Sequence, residues 1–298
     1  MKNGMVWLDD QGQPIQAHGG MIARFDQKWY WYGENKGAPN CPGTTRVDVI
    51  GVSCYSSDDL HTWHHEGIVL PSVPEDPSCP LHPSQVLERP KVLHCERTGK
   101  YVMWFHSDSP NYMRAQAGCA VADSPVGPFR FVRAQCPNRL DCRDMTVFVD
   151  QEKRAWLVHS GNWNKTLFFS RLSEDYLDFT GEYHAAFIDQ EREAPALCYQ
   201  DGQYWCVTSG CTGWSPNSAL YAASRFMTSG WKLIDNPCSG PEGRKTFHGQ
   251  PTYIFQQDGQ HYLLLDHWQP RELSKSAYSI LPVHIRDGLM DIPWQEEF

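Results

Sequence analysis

Glu88-Arg89-Pro90-Lys91-Val92, then the polar turn Arg97-Thr98-Gly99-Lys100, then Tyr101-Val102-Met103-Trp104: this stretch has the form of a β-hairpin. The same form recurs four more times in the 298 residues. Gln16-Ala17-His18-Gly19-Gly20 runs into Trp29-Tyr30-Trp31-Tyr32-Gly33, and Arg143-Asp144-Met145-Thr146-Val147 into Ala155-Trp156-Leu157-Val158-His159. Glu193-Ala194-Pro195-Ala196-Leu197 runs into Tyr204-Trp205-Cys206-Val207-Thr208. His248-Gly249-Gln250-Pro251-Thr252 runs into His261-Tyr262-Leu263-Leu264-Leu265. A repeated hairpin predicts a radial or solenoidal array. In a radial array the inner strands begin at one place, here occupied by Gln16 or His18, Glu88, Asp144, Glu193 and Gln250. That place is polar, and three of its residues are acids.

Each hairpin is followed by a third strand-like run, at residues 47–55, 118–122, 167–172, 219–224 and 278–283. Four of the five then pass through a turn to an aromatic, Trp63, Phe129, Trp231 or Trp294, that marks an outer strand. Five units of about 60 residues predict an all-β, five-bladed β-propeller with four short antiparallel strands per blade. No linker divides the chain, so residues 1–298 are expected to form one propeller domain. Helical periodicity is confined to a hint at residues 173–177, and the Pro-rich residues 71–83 are expected to loop over the active face.

The net charge of −9 and pI of about 5.8 argue against a nucleic-acid or anionic-membrane partner, since no basic run or stripe exists to meet one. No apolar run approaches a membrane span, and the first ten residues lack the apolar stretch of a signal peptide. Eleven cysteines, an odd number placed largely in strand-like runs, read as reduced thiols and point to the cytoplasm. Neither Cys136 with Cys142 nor Cys206 with Cys211 has zinc-site spacing, so no metal ligands and no cofactor are expected. Nothing in the sequence supports a structural calcium.

Carboxylates gathered at an axis repel one another, so one must hold its proton unless a cation relieves it. Glu193 precedes Ala194-Pro195-Ala196, an apolar setting that suits a general acid. Asp144 and Glu88 each have an arginine as sequence neighbour, Arg143 and Arg89. A protonated carboxyl beside anionic ones is what glycoside hydrolysis requires. The competing reading is a set of residues solvating a water-filled channel. Tyr112, Trp163, Trp214 and Trp268 fall in loops or strand ends, where aromatic faces can stack on sugar rings. Asn162, Asn164, Thr212 and Asn217 could bond hydroxyls, while His18 and His248 flank glycines and are expected first to make structural hydrogen bonds.

The motifs Ala17-His18-Gly19-Gly20, Trp31-Tyr32-Gly33-Glu34, Glu88-Arg89-Pro90-Lys91-Val92, Arg143-Asp144-Met145-Thr146, Glu193-Ala194-Pro195-Ala196, Thr212-Gly213-Trp214 and Gly249-Gln250-Pro251-Thr252 resemble glycoside hydrolase family 43. The likeness is greatest to its exo-β-1,3-galactanase branch, and it runs in order along nearly the whole chain. The resemblance implies a five-bladed propeller and inverting release of galactose from non-reducing ends of β-1,3-linked galactan or galacto-oligosaccharides. It implies Glu193 as general acid and Asp144 as the aspartate that orients the sugar and tunes that acid. Gln250 and Glu88 are then the catalytic-subsite residues and the two candidates for the base. On chemical grounds the carboxylate of Glu88 is the better proton acceptor, while the branch resemblance points to Gln250 orienting water through its carbonyl oxygen and to Glu88, locked by Arg89, recognising a sugar hydroxyl. Most of the family carries a first-blade aspartate base, and Gln16-Ala17-His18 stands there instead, as in the galactanase branch. His18, Glu34, Arg89, Tyr112, Asn164, Thr212 and Trp214 are the expected substrate-binding residues. With neither a secretion signal nor a carbohydrate-binding module in view, short oligosaccharides are the expected substrate. The alternatives are an α-L-arabinofuranosidase or β-xylosidase of the same family, and a non-hydrolytic sugar-binding propeller.

Overall fold

A computed structural model describes all residues 1–298. Its strands form five separate sheets. The first is β1 (His18–Phe25), β2 (Lys28–Glu34), β3 (Gly51–Ser57) and β4 (His64–Pro71). The second is β5 (Val86–Cys95), β6 (Lys100–Asp108), β7 (Gln116–Ala122) and β8 (Arg130–Gln135). The third is β9 (Met145–Val149), β10 (Ala155–Gly161), β11 (Thr166–Leu172) and β12 (Phe179–Ala186). The fourth is β13 (Arg192–Gln200), β14 (Gln203–Gly210), β15 (Leu220–Ser224) and β16 (Lys232–Asp235). The fifth is β18 (Gln250–Gln257), β19 (Gln260–His267), β20 (Ala277–Arg286) and β21 (Leu289–Pro293), to which the short β17 (Cys238–Ser239) adds in parallel. Within each blade the strands follow chain order and pair antiparallel, which makes a five-bladed β-propeller.

Two strand expectations change in detail. The third blade also has an outer strand, opened by Phe179, beyond the four expected from the sequence. Trp294 lies just beyond the last outer strand instead of opening it. Residues 173–177 form turns, with no helix. The Pro-rich residues 71–83 connect the outer strand of the first blade to the strand start that carries Glu88. Leu81, 2 % exposed, anchors them on the core between the first two blades, and none of them lines the pocket described below.

The core is divided as the ring demands. There are five buried clusters, and each lies between two neighbouring blades. Trp7, Trp31, Trp63 and Tyr278 close the ring between the fifth blade and the first. Trp31, Trp104, Trp156 and Trp205, one on the second strand of each of the first four blades, are all at most 1 % exposed. Large flat side chains at this position fill the wedge that widens away from the axis. The termini tie in by backbone hydrogen bonding between Met1 and Phe298 and between Met5 and Tyr278.

Four of the five inner strands carry one extra residue just past their first positions. The register slips between His18 and Met21, Glu88 and Lys91, Glu193 and Ala196, and Pro251 and Tyr253. Prolines explain three of these. Pro90, Pro195 and Pro251 have no N–H for the ladder, and a bulge on an edge strand accommodates that loss. Gly19, Arg89 and Ala194 take left-handed backbone angles there, with φ of 57°, 57° and 51°. A bulge re-aims the neighbouring side chains, and here it turns them toward the axis.

Candidate active site

The bulged ends of the inner strands surround a pocket of about 310 Å³. Its wall is Glu34, Lys36, Glu88, Arg89, His106, Tyr112, Arg143, Asp144, Asn164, Glu193, Gly213, Trp214, Gln250 and Trp268. A cavity of about 580 Å³ adjoins it, sharing Gly213, Trp214, Gln250 and Trp268. The indole of Trp214, from the fourth blade, donates to Thr45 Oγ1 of the first blade at 3.0 Å. Trp214 also meets Trp268 edge to face, with ring centres 5.6 Å apart. This bridge ties the fourth blade to the first beside the pocket.

Glu193 receives Gln250 Nε2 on Oε1 at 3.1 Å and Asn164 Nδ2 on Oε2 at 3.5 Å. Burial, and then the charge of Asp144, push its carboxyl up to about 8, against the opposing pull of Arg89. At neutral pH it holds a proton. Asn164 Oδ1 is buried without a partner and so is an acceptor in hand for a ligand.

Arg89, 5 % exposed, is the hub of the floor. Its Nη2 lies 2.9 Å from Asp144 Oδ2 and donates to Gln250 Oε1 at 2.6 Å, while Nη1 donates to the Pro251 carbonyl at 3.1 Å. The sequence expectation of a Glu88–Arg89 pair is thereby corrected, because the left-handed turn at Arg89 sends its side chain across the axis to Asp144. Arg143 is likewise not the cation of Asp144. It bonds Asp141 at 2.7 Å and lies over Trp163 at 4.8 Å.

Gln250 differs from expectation in its polarity. Its Oε1 accepts from Arg89 and also from Trp268 Nε1 at 2.9 Å, and its Nε2 donates to Glu193 and Ser209. Arginine and indole can only donate, so the amide cannot be turned over. Both lone pairs of the carbonyl are in use, and it has none left with which to orient water. Gln250 instead holds the acid in place.

Glu88 accepts from Tyr112 Oη on Oε1 at 2.6 Å and from His106 Nδ1 on Oε2 at 3.1 Å. Burial alone would raise its pKa, but His106 outweighs it, helped by Lys36 and Tyr112, and brings the carboxyl down to about 2. The charge of Glu88 in turn holds the Tyr112 hydroxyl protonated. Glu34 meets Lys36 at 2.6 Å at the rim of the same cluster.

Two expected sugar contacts fall elsewhere. His18 is fully buried, bonding Asp266 at 3.1 Å and Tyr278 at 3.1 Å and supporting Trp268 from beneath at 5.5 Å between ring centres. Thr212 is off the pocket wall and shapes its loop, donating to Ser215 O at 2.6 Å and accepting from Asn217 at 2.7 Å. His248 is exposed and pairs with Glu242 at 3.0 Å. The remaining expected residues, Glu34, Arg89, Tyr112, Asn164, Trp214, Glu88, Asp144, Glu193 and Gln250, all line the pocket. His106 and Lys36 were missed. The signal for His106 was the run Phe105-His106-Ser107-Asp108, whose alternation puts His106 and Asp108 on one face of a strand end. No group of three His, Cys, Asp or Glu side chains is placed to hold a metal ion.

Carboxyl groups gathered beside aromatic side chains in a pocket at a propeller axis are an arrangement that glycoside hydrolysis uses. The family model of glycosyl hydrolases family 43 matches residues 15–238, and the chain belongs to that family. It is similar over its full length to a family 43 β-1,3-galactosidase solved with galactodeoxynojirimycin, at 35% identity, 99% coverage of that chain and a TM-score of 0.95. Similar too is an exo-β-1,3-galactanase from Clostridium thermocellum, at 32% identity over 99% of this chain and 65% of that one, with a TM-score of 0.88. The Phanerochaete chrysosporium exo-β-1,3-galactanase solved with galactose shares 29% identity over 98% of this chain and 66% of that one, with a TM-score of 0.89. No curated protein gives a match.

Proposed function

We propose that this chain is an exo-acting, inverting β-1,3-galactosidase that releases galactose from the non-reducing end of β-1,3-linked galactan or galacto-oligosaccharides. The observation that carries the reading is the placement of Glu193 beside Asp144, held by Gln250 and Asn164, in an axial pocket of a fold that matches a β-1,3-galactosidase along the whole chain. Burial and the charge of Asp144, which raise the Glu193 carboxyl, support it. Glu193 protonates the glycosidic oxygen as that bond breaks, a water adds to the anomeric carbon from the opposite face, and the proton the water sheds passes to solvent, from which Glu193 is reprotonated. Glu88, an anion whose two oxygens face a hydroxyl and an imidazole, accepts a hydrogen bond from a sugar hydroxyl. A carboxyl drawn down to about 2 is a weak proton acceptor, which supports recognition over base catalysis. Eleven free thiols support a reducing compartment such as the cytoplasm. The carbohydrate needs no metal or cofactor in this scheme.

Proton NMR of the first-formed product tests the reading. Incubated with β-1,3-galactobiose, the protein is expected to give α-galactose first; β-galactose first means a covalent intermediate, and no galactose at all removes the assignment.

Asp144 is proposed to tune the acid through space. Asp144→Asn takes away a negative charge that raises the Glu193 pKa, so that pKa falls from about 8. The active form is the protonated one, present below the pKa and lost as pH rises through it. The alkaline limb of the pH–rate profile should therefore move to lower pH, and an unmoved limb leaves Asp144 with a binding role only.

A further inference from the structure

Behind Glu88 the polar chain continues into the second blade. His106 Nδ1 faces Glu88 Oε2 at 3.1 Å, and its Nε2 faces Asp108 Oδ2 at 3.0 Å. An imidazole ring with a carboxylate on each nitrogen satisfies both only when it carries two protons, since the neutral ring has a single N–H. The second carboxylate is itself fixed. Asp108 Oδ1 accepts from the backbone N–H groups of Ser109, Arg114 and Ala115, each at 2.8 Å. His106 and Asp108 are 1 % and 0 % exposed, so water does not compete for these bonds.

We propose that His106 and Asp108 are a positioning pair: Asp108 keeps His106 as an imidazolium, and that imidazolium fixes Glu88 as a permanent hydrogen-bond acceptor for a sugar hydroxyl. The role assigned to Glu88 rests on the reading given above, whereas the charge state of His106 does not. Three groups converge on Glu88 besides the imidazole: Tyr112 Oη on its other oxygen, the ammonium of Lys36, and the opposing charge of Glu34. Glu88, Asp108 and the ring of Tyr112, whose centre is 6.1 Å away, are what face His106. Tyr112 cannot replace the imidazolium, because it neutralises no charge. Without the imidazolium a buried Glu88 would take up a proton, and a protonated carboxyl can turn donor and mispair with the sugar. The pair thus acts on the selection of a hydroxyl while touching no substrate atom.

Two measurements test this. The first needs no substrate. With ¹⁵N-labelled histidine, the His106 ring should show two protonated nitrogens at neutral pH and lose one near pH 9, where the two carboxylates hold its pKa. In Asp108→Asn the loss should come at lower pH. A His106 that is neutral at pH 7 overturns the proposal, whatever the enzyme hydrolyses. The second is the pH dependence of kcat/KM on β-1,3-galactobiose. His106→Gln takes away the cation that is hydrogen-bonded to Glu88 and leaves only the ammonium of Lys36 near it, so the Glu88 pKa rises, and binding should fail as pH drops through the new value. The acid limb is thus expected to move to higher pH, with KM up roughly ten- to a hundredfold and the alkaline limb of kcat, set by Glu193, in place. Equal loss of activity at all pH values with no shift of either limb, in a variant whose melting is normal, means a structural role and overturns the pair. If the variant melts early, the ¹⁵N readout on the native protein still decides.

Discussion

Glu193→Gln is expected to lower turnover of β-1,3-galactobiose by roughly 10²–10⁴-fold, the usual worth of a positioned general acid. The amide keeps the shape of the side chain; its carbonyl can still accept from Gln250, and its NH2 can donate to Asn164 once that amide turns its unpartnered Oδ1 inward, so binding of galactose should survive. The effect should depend on the leaving group. A sugar alcohol leaves poorly and needs the proton, while a nitrophenolate leaves without one. Nitrophenyl β-galactoside should accordingly lose much less than the disaccharide. The alkaline limb near pH 8 should vanish with the group that causes it. Equal losses on both substrates, or a limb that persists, would take the acid role from Glu193.

Arg89→Met should cost more in stability than any other single change in the pocket. The guanidinium is buried and meets Asp144, Gln250 and the Pro251 carbonyl, and removing it leaves the carboxylate of Asp144 without its cation. Breaking a buried pair from one side typically costs about 3–5 kcal/mol, because the remaining charge is stranded. A denaturant titration should show that loss as a lower midpoint with an unchanged slope. The double variant Arg89→Met with Asp144→Asn should recover part of it, since the stranded charge is gone. Residual activity carries a second signature. Arg89 pulls the Glu193 pKa down, so its removal should shift the alkaline limb upward, opposite in sign to Asp144→Asn. A variant as stable as the native protein would show that the Arg89–Asp144 contact holds nothing.

The convergence of Glu88, Asp144, Glu193 and Gln250 was legible because it follows from repetition. Each stands near the first residue of an inner strand, and strands that start a repeated hairpin must start at the same radius. The partners were not legible. Arg89 follows Glu88 in the chain and was read as its cation, yet neighbours along a strand point to opposite faces, and the bulge at Pro90 adds a further turn. His18, at a strand start beside a glycine, was expected first to make structural hydrogen bonds, and it does; the family resemblance alone placed it among the sugar contacts. It lies a layer below, because Asp266 and Tyr278, each about 250 residues away in the chain, claim its two nitrogens.

Periodicity, turn residues and proline positions are local, and from them came the five blades, the ring and the acid at its axis. Which donor meets which acceptor is a matter of contacts across strands and between blades. The partners of Gln250 and Glu88 were settled there. Gln250 was read as a water-orienting carbonyl, but Arg89 and Trp268 converge on that oxygen from two other strand ends. Glu88 was read as an arginine-bound carboxylate, but it is held by an imidazole from the adjacent strand and a hydroxyl from the loop beyond it. A side chain's protonation and direction depend on charges within a few ångströms, and in a propeller most of those neighbours are distant in sequence.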